Sequence, residues 1–441
     1  MRVMREPLLE RIQRREARVG VVGMGYVGLP LGMAFARAGF PVLGLDVDAA
    51  RCERLMRGES YIRHVPSEPI AALVREGKLA ATTDFAKAAD LDCVLVCVPT
   101  PLTAAREPDM QFVVAAGEAL APHVRAGQLF VLESTTWPGT TDEVLRPILE
   151  RGGLRSGVDF HLAFSPERED PGNARFETRT IPKVVGADDA QARALAEALY
   201  GGALERVVSV SSSRVAELSK LLENIFRCVN IALVNELKML CDRMGLDVWE
   251  VIQAASTKPF GFMPFYPGPG LGGHCIPIDP FYLSWKARQF EFQTRFIELA
   301  GEVNTQMPHY VVHRVMEALN ERGRSLKGAK VLVLGAAYKK DVDDMRESPS
   351  LRILALLRER GASVAYHDPY VPELQADHGL AEPMVSLPLS PGLLGACDVA
   401  LILTDHSCVD YGEVVAHAPL VVDTRNATAG VAVHRERIVK A

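Results

Sequence analysis

A cysteine and a carboxylate lie close together in the segment 267–279, whose sequence is PGPGLGGHCIPID. Glycines precede Cys275, Pro277 follows it, and Asp279 comes four residues after it. If a helix begins near Cys275 with Pro277 in its first turn, the helix N-terminus favours the thiolate. Asp279 would then lie one turn further along the same face of the helix as Cys275, where its carboxylate could transfer protons near the sulfur. The pattern predicts a nucleophilic thiolate with a proton-transfer group, and a small buried thiol in a tight turn is the alternative.

A second pair of polar residues lies on a segment with helical periodicity. Lys220 and Asn224 are four residues apart, in an apolar pattern that runs from the serines at 211–213 to Gly245. Side chains at this spacing project from one face of a helix. An ammonium and an amide there can stabilise an oxyanion, whereas a solvated lysine beside an exposed asparagine is the alternative. A helix of this length is typical of a domain spine or a dimer interface. Helices are also predicted at 249–255 and 285–304, on either side of the segment with Cys275.

The elements that must position these residues begin with a nucleotide-binding pattern near the N-terminus. The apolar run 17–22 is followed by GMGYVG, a helical pattern to Arg37 and a second strand, 41–45, that ends at an acid. Strand, GxGxxG, helix, strand and acid in this order form the dinucleotide fingerprint. Because a carboxylate repels a 2′-phosphate, this acid favours NAD over NADP. The predicted cofactor contacts here are Gly23, Gly25, Tyr26, Val27, Gly28 and Asp46.

Two continuous apolar runs follow, at 93–98 and 129–132, and each is typical of a strand covered on both faces; the segment 160–164 is a further strand candidate. They end in the sequences PTP, ESTT and SPERE. Ligands of open α/β sheets bind at the carboxyl edge, where these segments would lie. The candidates for contact with the cofactor or the reactants are therefore Pro99, Thr100, Thr135 and Glu167.

A second α/β pattern begins after the connector at 327–330. It consists of the strand 331–334, a helix at 349–360, the strand 363–366 before Asp368, and strands near 399–403 and 420–422. Its first turn lacks GxGxxG, so the pattern does not predict a second NAD site. Lys339, Lys340 and Arg346 in this turn are candidates for phosphate contact, and exposed surface charge is the alternative.

The composition limits the class of protein. A chain of 441 residues is expected to form two or three domains. A net charge of −6 gives no electrostatic basis for nucleic acid or an anionic membrane as a partner. The sequence has no apolar run of transmembrane length and no signal-peptide core, and its eight cysteines are scattered, so we expect a cytoplasmic protein with free thiols. No cluster has the spacing of metal ligands, and we expect no metal.

Together these motifs resemble the UDP-glucose/GDP-mannose dehydrogenase family of nucleotide-sugar 6-dehydrogenases. The resemblance is carried by residues 23–30, 98–101, 165–167, 220–224, 272–275 with Asp279, 339–341 and 346–348. The predicted fold class is α/β, with an N-terminal Rossmann-type domain and a C-terminal Rossmann-like domain joined by a helical domain with a long central helix. We place the NAD-binding domain at residues 1–208, the helical dimerisation domain with Cys275 at 209–322, and the UDP-sugar-binding domain at 323–441.

The resemblance implies a four-electron oxidation of a sugar C6 alcohol to a carboxylate, with two NAD per turnover. Cys275 would hold the aldehyde as a thiohemiacetal and then as a thioester. Lys220 and Asn224 would stabilise the oxyanion of each stage. Asp279 would transfer a proton or activate water, while Glu167 would support hydrolysis and Thr135 would orient the water.

His274, residues 276–280 and the upstream segment 262–266 resemble the members of the family that act on UDP-N-acetylhexosamines. The predicted substrate is UDP-N-acetylglucosamine, and UDP-glucose and UDP-N-acetylmannosamine are the alternative substrates. The alternative functions are a one-step dehydrogenase of the hydroxyacid or 6-phosphogluconate type and an NAD sensor. The resemblance also implies a homodimer or higher homo-oligomer through the long helix, a role in polysaccharide biosynthesis, and a cofactor contact by Arg346. The implied substrate contacts are Glu167, Arg168, Lys220, Asn224, Phe265, Tyr266, Gly272, Tyr338 and Lys339.

Overall fold

The structure is a computed structural model that describes residues 7–62, 65–103, 105–168, 179–273, 276–376 and 379–441. The chain forms two compact units. The first consists of Met1–Glu223 and Trp285–Glu291, and the second consists of Asn224–Ser284 and Phe292–Ala441. His274 and Cys275 lie outside the described residues.

An eight-stranded sheet forms the centre of the first unit. Its strands are β1 (Val19–Val22), β2 (Val42–Leu45), β3 (Leu79–Thr82), β4 (Cys93–Val96), β5 (Leu129–Leu132), β6 (His161–Phe164), β7 (Lys183–Gly186) and β8 (Val207–Val210). Their spatial order is β3-β2-β1-β4-β5-β6-β7-β8, and the β6–β7 pair is antiparallel. Alternate residues of β5 enter two separate cores, one with Leu129 and Val131 and the other with Phe130 and Leu132. Both faces of this strand are therefore covered, which explains its continuous apolar sequence.

The helices of the first unit follow the strands in the manner of βα units. They are α1 (Leu8–Gln13), α2 (Gly28–Arg37), α3 (Ala49–Met56), α4 (Ser67–Arg75), α5 (Gln111–Leu120), α6 (Arg146–Leu149) and α7 (Ala190–Gly201), with short 3₁₀ or π turns at Phe85–Asp90, Ala121–His123, Thr141–Leu145 and Glu150–Gly152. The long helix α8 (Ser213–Met244) begins in this unit and ends in the second.

The second unit begins with helices and ends with a five-stranded parallel sheet. Its helices are α9 (Val248–Ala255), α10 (Asp279–Arg288), whose last residues belong to the first unit, α11 (Arg295–Asn320), α12 (Pro349–Glu359), α13 (Pro391–Ala396) and α14 (Tyr411–His417), with a 3₁₀ turn at Arg435–Arg437. Its strands are β9 (Lys330–Leu334), β10 (Ser363–His367), β11 (Glu373–Leu374), β12 (Met384–Val385), β13 (Val399–Ile402), β14 (Val421–Asp423) and β15 (Ile438–Lys440). The sheet order is β10-β9-β13-β14-β15, and β11 with β12 forms a separate antiparallel ribbon.

The predicted fold class is confirmed, because the N-terminal and C-terminal parts of the sequence each form an α/β fold with a largely parallel sheet, and the sequence between them is helical and contains α8. Two helix predictions are wrong. Helix α10 begins at Asp279 rather than near Cys275, so Pro280 and not Pro277 lies in its first turn. The predicted continuous helix 285–304 is also interrupted, since α10 ends at Arg288 and Glu291 takes a left-handed φ of 54° before α11 begins. The boundaries at 208 and 322 remain predictions.

Candidate active site

The glycine turn of the first unit lies between β1 and α2. Gly23 has a φ of +88°, and a Cβ on Gly28 would lie 1.9 Å from the carbonyl oxygen of Gly23. The backbone itself therefore requires glycine at these two positions. A Cβ on Gly25 would meet no atom within 4 Å, so open space lies beside the middle glycine. This arrangement, at the N-terminus of α2, fits the pyrophosphate of a dinucleotide, and Tyr26 is exposed beside it.

Asp46, at the end of β2, is buried and holds this turn in place. Its Oδ2 accepts hydrogen bonds from the backbone N–H of Met24 at 2.7 Å and from Nη1 of Arg51 at 2.9 Å, and its Oδ1 accepts from the N–H of Asp48 at 3.0 Å. Each carboxylate oxygen can accept about two hydrogen bonds, so contact with a ribose hydroxyl remains compatible with these bonds. The guanidinium of Arg51 is a feature that the sequence pattern did not predict beside this acid.

The segments after β4 and β5 lie at one edge of the sheet, because the two strands are neighbours with Val96 opposite Leu132. The hydroxyl of Ser134 joins them, since it accepts from the N–H of Val98 at 3.0 Å and donates to the Val98 carbonyl at 2.7 Å. Pro99, Thr100 and Thr135 are thereby brought to one edge, as the sequence predicts. Pro99 is exposed, and the other two are half-buried.

Glu167 and Arg168 follow β6. Oε1 of Glu167 accepts a hydrogen bond from the N–H of Arg168 at 2.7 Å. The guanidinium of Arg168 donates to the carbonyl of Pro182 at 2.6 Å and forms an ion pair with Glu223 at 2.6 Å. Because these contacts use several N–H groups of the guanidinium, Arg168 has fewer donors for a substrate than the sequence alone suggests.

Lys220 is buried on α8 and lies one turn after Glu217, whose carboxylate anchors the helix. Glu217 accepts hydrogen bonds from the N–H of Gly139, and from the N–H and hydroxyl of Thr141 at 2.9 and 2.7 Å. Burial raises the pKa of Glu217 to about 7, although these hydrogen bonds act in the opposite direction. In the sequence, an acid on an apolar helix face is the one signal of this anchor.

Asn224 and Asp279 are in contact within the second unit. The side chain of Asn224 donates a hydrogen bond from Nδ2 to Oδ2 of Asp279, and both residues are buried. Asp279 is the first residue of α10, where the helix dipole favours a carboxylate. Two of the predicted catalytic residues, 55 positions apart in sequence, therefore meet.

The glycine-rich segment before Cys275 is held by a chain of buried amides. The N–H of Gly268 donates to Oδ1 of Asn235 at 3.0 Å, and Asn235 donates to Oδ1 of Asn304 at 2.9 Å. Asn304 donates in turn to the carbonyl of Cys228 at 3.2 Å. The sequence interpretation missed Asn235, although it lies eleven residues after Asn224, about three turns along the same helix face.

The loop after β9 packs against the same glycine-rich segment. A Cβ on Gly272 would lie 2.6 Å from Cβ of Tyr338, and one on Gly273 would lie 3.0 Å from the Tyr338 ring. The N–H of Gly273 donates to the carbonyl of Arg346 at 3.0 Å, while the Arg346 guanidinium is paired with Asp344 at 2.6 Å. Tyr338 and Arg346 therefore border this segment. Lys339 is half-buried and Lys340 is exposed in the same loop.

Two aromatic contacts and one cation complete the second unit's candidate site. Tyr266 stacks on Trp249 with ring centroids 5.6 Å apart, and Phe265 meets Phe226 edge to face at 5.6 Å. Arg425, after β14, was missed by the sequence interpretation. Its Nε donates to the carbonyl of Leu403 at 2.9 Å, and its Nη1 would lie 2.7 Å from a Cβ on Gly268. Arg425 follows a strand of an α/β sheet, where ligands bind, and this position was the signal in the sequence for a binding residue.

Comparison with known proteins gives the family. The chain matches the NAD binding domain of the UDP-glucose/GDP-mannose dehydrogenase family over residues 17–203, its central domain over 214–306 and its UDP binding domain over 332–430. The chain belongs to the UDP-glucose/GDP-mannose dehydrogenase family. The resemblance drawn from the motifs is thereby confirmed.

Individual relatives of this dehydrogenase cover nearly its whole length. It is 34% identical over 395 residues to UDP-N-acetyl-D-glucosamine 6-dehydrogenase of Pseudomonas aeruginosa, with 89% of this chain and 91% of the relative covered. It is 33% identical over 419 residues to UDP-N-acetyl-D-mannosamine dehydrogenase of Pyrococcus horikoshii, with 93% and 95% covered. The solved structure of the UDP-D-ManNAc dehydrogenase from Pyrococcus horikoshii matches with a TM-score of 0.84 at 32% identity, covering 93% of this chain and 96% of the other.

The chain is therefore an NAD-dependent oxidoreductase, a nucleotide-sugar 6-dehydrogenase with an NAD binding domain and a UDP binding domain. Among the described residues, no group of three or more histidine, cysteine, aspartate or glutamate side chains is arranged to hold a metal ion. None of the helices in the described ranges is long and apolar enough to cross a membrane.

Proposed function

We propose that this dehydrogenase oxidises the C6 alcohol of a UDP-N-acetylhexosamine, namely UDP-N-acetylglucosamine, to the uronic acid. The observation that carries the proposal is the buried Asn224–Asp279 contact in the same unit as the glycine-rich segment that leads to Cys275. The amide chain through Asn235 and the packing of Tyr338 hold that segment in one conformation.

The chemistry requires a covalent step. Conversion of a primary alcohol to a carboxylate removes four electrons, and bound NAD accepts two of them as one hydride, so two NAD are consumed. The intermediate aldehyde is held when the Cys275 thiolate adds to its carbonyl carbon and forms a thiohemiacetal. After the second oxidation the same carbon is a thioester, and water cleaves its C–S bond to give the carboxylate and restore the thiol.

The chain's own residues divide the remaining work. Lys220 and Asn224 stabilise the negative oxygen of the alkoxide and of the tetrahedral intermediates, since both lie on α8 at a spacing of four residues. Asp279, hydrogen-bonded to Asn224, accepts or returns the proton of that oxygen. Glu167 accepts a proton from the attacking water, and Thr135 orients that water.

The binding residues are grouped by unit. The glycine turn and the edge beside it would hold NAD, and this set comprises Gly23, Gly25, Tyr26, Val27, Gly28, Asp46, Pro99, Thr100 and Thr135. The glycine-rich segment and the loop after β9 would hold the UDP-sugar, and this set comprises Phe265, Tyr266, Gly272, Tyr338 and Lys339. The other proposed substrate contacts are Glu167, Arg168, Lys220 and Asn224. We add Arg425, whose guanidinium beside Gly268 suits a phosphate or a ribose hydroxyl. Arg346 remains a proposed cofactor contact.

Two observations support an N-acetylated substrate. The sequence around Cys275 resembles that of UDP-N-acetylhexosamine enzymes, and relatives that are 32% to 35% identical carry the names UDP-N-acetyl-D-glucosamine 6-dehydrogenase and UDP-N-acetyl-D-mannosamine dehydrogenase. The mannosamine isomer is therefore the second candidate. NADH release should be measured with UDP-glucose and the UDP forms of N-acetylglucosamine, N-acetylgalactosamine and N-acetylmannosamine. The proposal predicts the highest kcat/KM for UDP-N-acetylglucosamine, and a higher value for any other sugar contradicts it.

Substitution of the cysteine tests the covalent step. Cys275→Ala should bind NAD and UDP-sugar but form no carboxylate at a useful rate, because the aldehyde has no covalent anchor. Cys275→Ser should form an ester that hydrolyses slowly and is visible by intact-protein mass spectrometry. Production of uronic acid by Cys275→Ala at a rate near that of the parent enzyme would contradict the covalent mechanism.

An apolar stripe on α8 supports the proposal of a homodimer. Its residues recur at spacings of three, four or seven and are 37% to 63% exposed; they are Val215, Leu218, Leu222, Phe226, Leu233, Leu237, Leu240 and Met244. The stripe spans about 45 Å at 1.5 Å per residue, and a single helix face of this kind packs best on another helix. A second copy of the chain offers the same stripe about a two-fold axis.

Size-exclusion chromatography with light scattering tests the dimer. Leu222→Glu should give monomers, because it introduces charge into the stripe. Val158→Glu is the matched control, since Val158 is 77% exposed and lies outside the stripe. A parent enzyme that is already monomeric, or a dimeric Leu222→Glu variant, would contradict the proposal.

A further inference from the structure

A short stretch of the second unit, the 336–341 loop that follows β9, has both of its ends tied to one histidine. At its start, the N–H groups of residues 336 and 337 donate to Oδ2 of Asp368 at 2.7 and 3.0 Å, and Nε2 of His406 lies 3.0 Å from the same oxygen. At its far end, the N–H of Asp341 donates to Nδ1 of His406 at 3.0 Å. One imidazole therefore connects two points of the loop that are four to five residues apart.

His406 itself is held in one orientation. It is 1% exposed, and its ring packs against that of Tyr370 with centroids 5.0 Å apart. Because Nδ1 accepts from an N–H group, the ring proton is on Nε2, which therefore donates to Asp368. Burial raises the pKa of Asp368, but the hydrogen bonds from His406 and from the loop lower it, and the net shift is downward. The imidazole thus donates to a charged acceptor.

Asp368 follows β10, the strand beside β9, as Asp46 follows β2 beside β1. In a dinucleotide fold an acid at this position binds ribose. Oδ1 of Asp368 accepts from the N–H groups of Tyr370 and Val371 at 2.8 and 3.0 Å, in addition to the three donors at Oδ2. A carboxylate has about four lone-pair sites, so these bonds use its accepting capacity. The acid therefore holds the loop instead of a ribose.

The far end of the loop is fixed from a second side. Asp341 has a left-handed φ of 61°, which aspartate tolerates better than most residues. Its carboxylate accepts from the N–H and the hydroxyl of Ser407 at 2.8 and 2.6 Å. The hydroxyl of Thr404 donates to the carbonyl of Ala337 at 2.6 Å. Side chains and backbone of residues 404–407 thus hold both ends of the 336–341 loop, and over-determined backbone of this kind is typical of ligand-binding turns.

We propose that His406 is a positioning residue that holds both ends of the 336–341 loop and thereby places Lys339 for contact with the diphosphate of the UDP-sugar. The inference rests on the proposed function, which assigns the UDP-sugar to this loop. A lysine has a long, rotatable side chain, and a fixed backbone reduces the freedom that is lost when its ammonium binds a phosphate. The alternative is a buried histidine that only stabilises the fold, and it predicts a lower Tm without weaker binding.

The decisive variant is His406→Phe, which removes both hydrogen bonds and keeps a ring against Tyr370. Calorimetric titration with UDP and steady-state kinetics with the UDP-sugar measure its effect. Loss of a charge-assisted contact weakens binding about 10- to 100-fold, and we expect the Kd for UDP and the KM for UDP-sugar to rise by this factor. The kcat and the Kd for NAD should change by less than about threefold.

Two conservative variants each keep one of the two bonds. His406→Asn places an amide oxygen near the position of Nδ1, so that the N–H of Asp341 keeps an acceptor. His406→Gln places an amide N–H near the position of Nε2, so that Asp368 keeps a donor. Each should raise the Kd for UDP at least about threefold, but by less than His406→Phe. A parent-like Kd in either variant would overturn the inference, and these two variants carry the test if His406→Phe does not fold.

A double-mutant cycle separates positioning from a structural role. In a Lys339→Ala background, His406→Phe should raise the Kd for UDP by no more than about twofold, because the histidine acts through the missing ammonium. Leu394→Ala is the matched control, since this leucine on α13 is buried in a core of the same sheet and makes none of the loop's hydrogen bonds. It should lower the Tm and leave the Kd for UDP within about twofold of the parent value.

Each outcome decides the inference. A His406→Phe variant with a lower Tm and an unchanged Kd for UDP would overturn it, and so would equal increases in Kd with and without Lys339. A parent enzyme with no measurable affinity for UDP would overturn it as well. Failure of the proposed function itself looks different: the parent enzyme would then release no NADH from any UDP-sugar, while titration with UDP would still show the effect of His406.

Discussion

Alanine at Gly25 and at Gly28 should separate cofactor binding from folding. A Cβ on Gly25 would meet no atom within 4 Å, and its φ lies outside the left-handed region, so the backbone accepts alanine there. We expect the free energy of unfolding of Gly25→Ala to stay within about 1 kcal/mol of the parent value. The added methyl group, however, occupies the space through which a pyrophosphate would approach the turn.

The Gly28→Ala variant should behave in the opposite way. Its Cβ would lie 1.9 Å from the Gly23 carbonyl oxygen and 3.0 Å from Cγ1 of Val21, so the backbone must shift. Overpacking of this kind costs about 1–3 kcal/mol. In a domain of this size each kcal/mol lowers the Tm by about 2–4 °C, so the expected decrease is about 2–12 °C.

Thermal unfolding and calorimetric titration with NAD measure the two effects. Loss of one charge-assisted hydrogen bond between the turn and the pyrophosphate costs about 1.5–3 kcal/mol, which raises the Kd of Gly25→Ala for NAD by about 10- to 100-fold. Gly430→Ala is the control, because its Cβ also meets no atom within 4 Å and it lies far from this turn in sequence. An unchanged Kd in Gly25→Ala would refute the placement of NAD at the glycine turn.

Three further predictions concern α8. Lys220→Ala should lower kcat by about two to three orders of magnitude with little change in KM, because the oxyanion is fully developed only in the transition state. Steady-state kinetics measure both constants, and an unchanged kcat would show that Lys220 has only a structural role. Asn235→Ala should lower the free energy of unfolding in urea by about 1–3 kcal/mol, because the N–H of Gly268 loses its acceptor, whereas Asn230→Ala on the same helix should cost less than about 0.5 kcal/mol. The folded-state pKa of Glu217 is raised from 4.5 to about 7, so the folded protein binds a proton at this carboxyl more tightly than the unfolded chain does. Protonation of Glu217 therefore stabilises the fold. This contribution is complete below about pH 4.5 and is lost as the pH rises through 7. Urea unfolding should be measured at pH 5 and at pH 8. Between these values the free energy of unfolding of the parent should fall by up to about 3 kcal/mol more than that of Glu217→Gln, and equal decreases would contradict the raised pKa of Glu217.

Features that depend on a few neighbouring residues were predictable from the sequence. The glycine turn between β1 and α2, the acid after β2 and the length of α8 follow from local spacing, turn geometry and apolar periodicity. The second α/β pattern was predictable for the same reason, since its buried strands are continuous apolar runs.

The partners of individual polar side chains were not predictable. Asn235 and Asn304 meet across 69 positions, and Lys183 reaches Glu133 across 50, so only the tertiary fold brings them together. The start of α10 was misplaced because Pro277 and Pro280 both fit a first helical turn, and the acid at Asp279 decides between them. The gap between α10 and α11 depends on the left-handed φ of Glu291, a residue type that rarely adopts it.

The central claim is that one active centre carries out both oxidations with a covalent intermediate between them. Its most direct test is the amount of NADH formed when limiting UDP-N-acetylglucosamine is consumed to completion with excess NAD. The mechanism predicts two NADH for each UDP-sugar, together with one carboxylate product and no free aldehyde. A ratio of one, with the aldehyde as product, would contradict the covalent account and assign the chain a one-step oxidation.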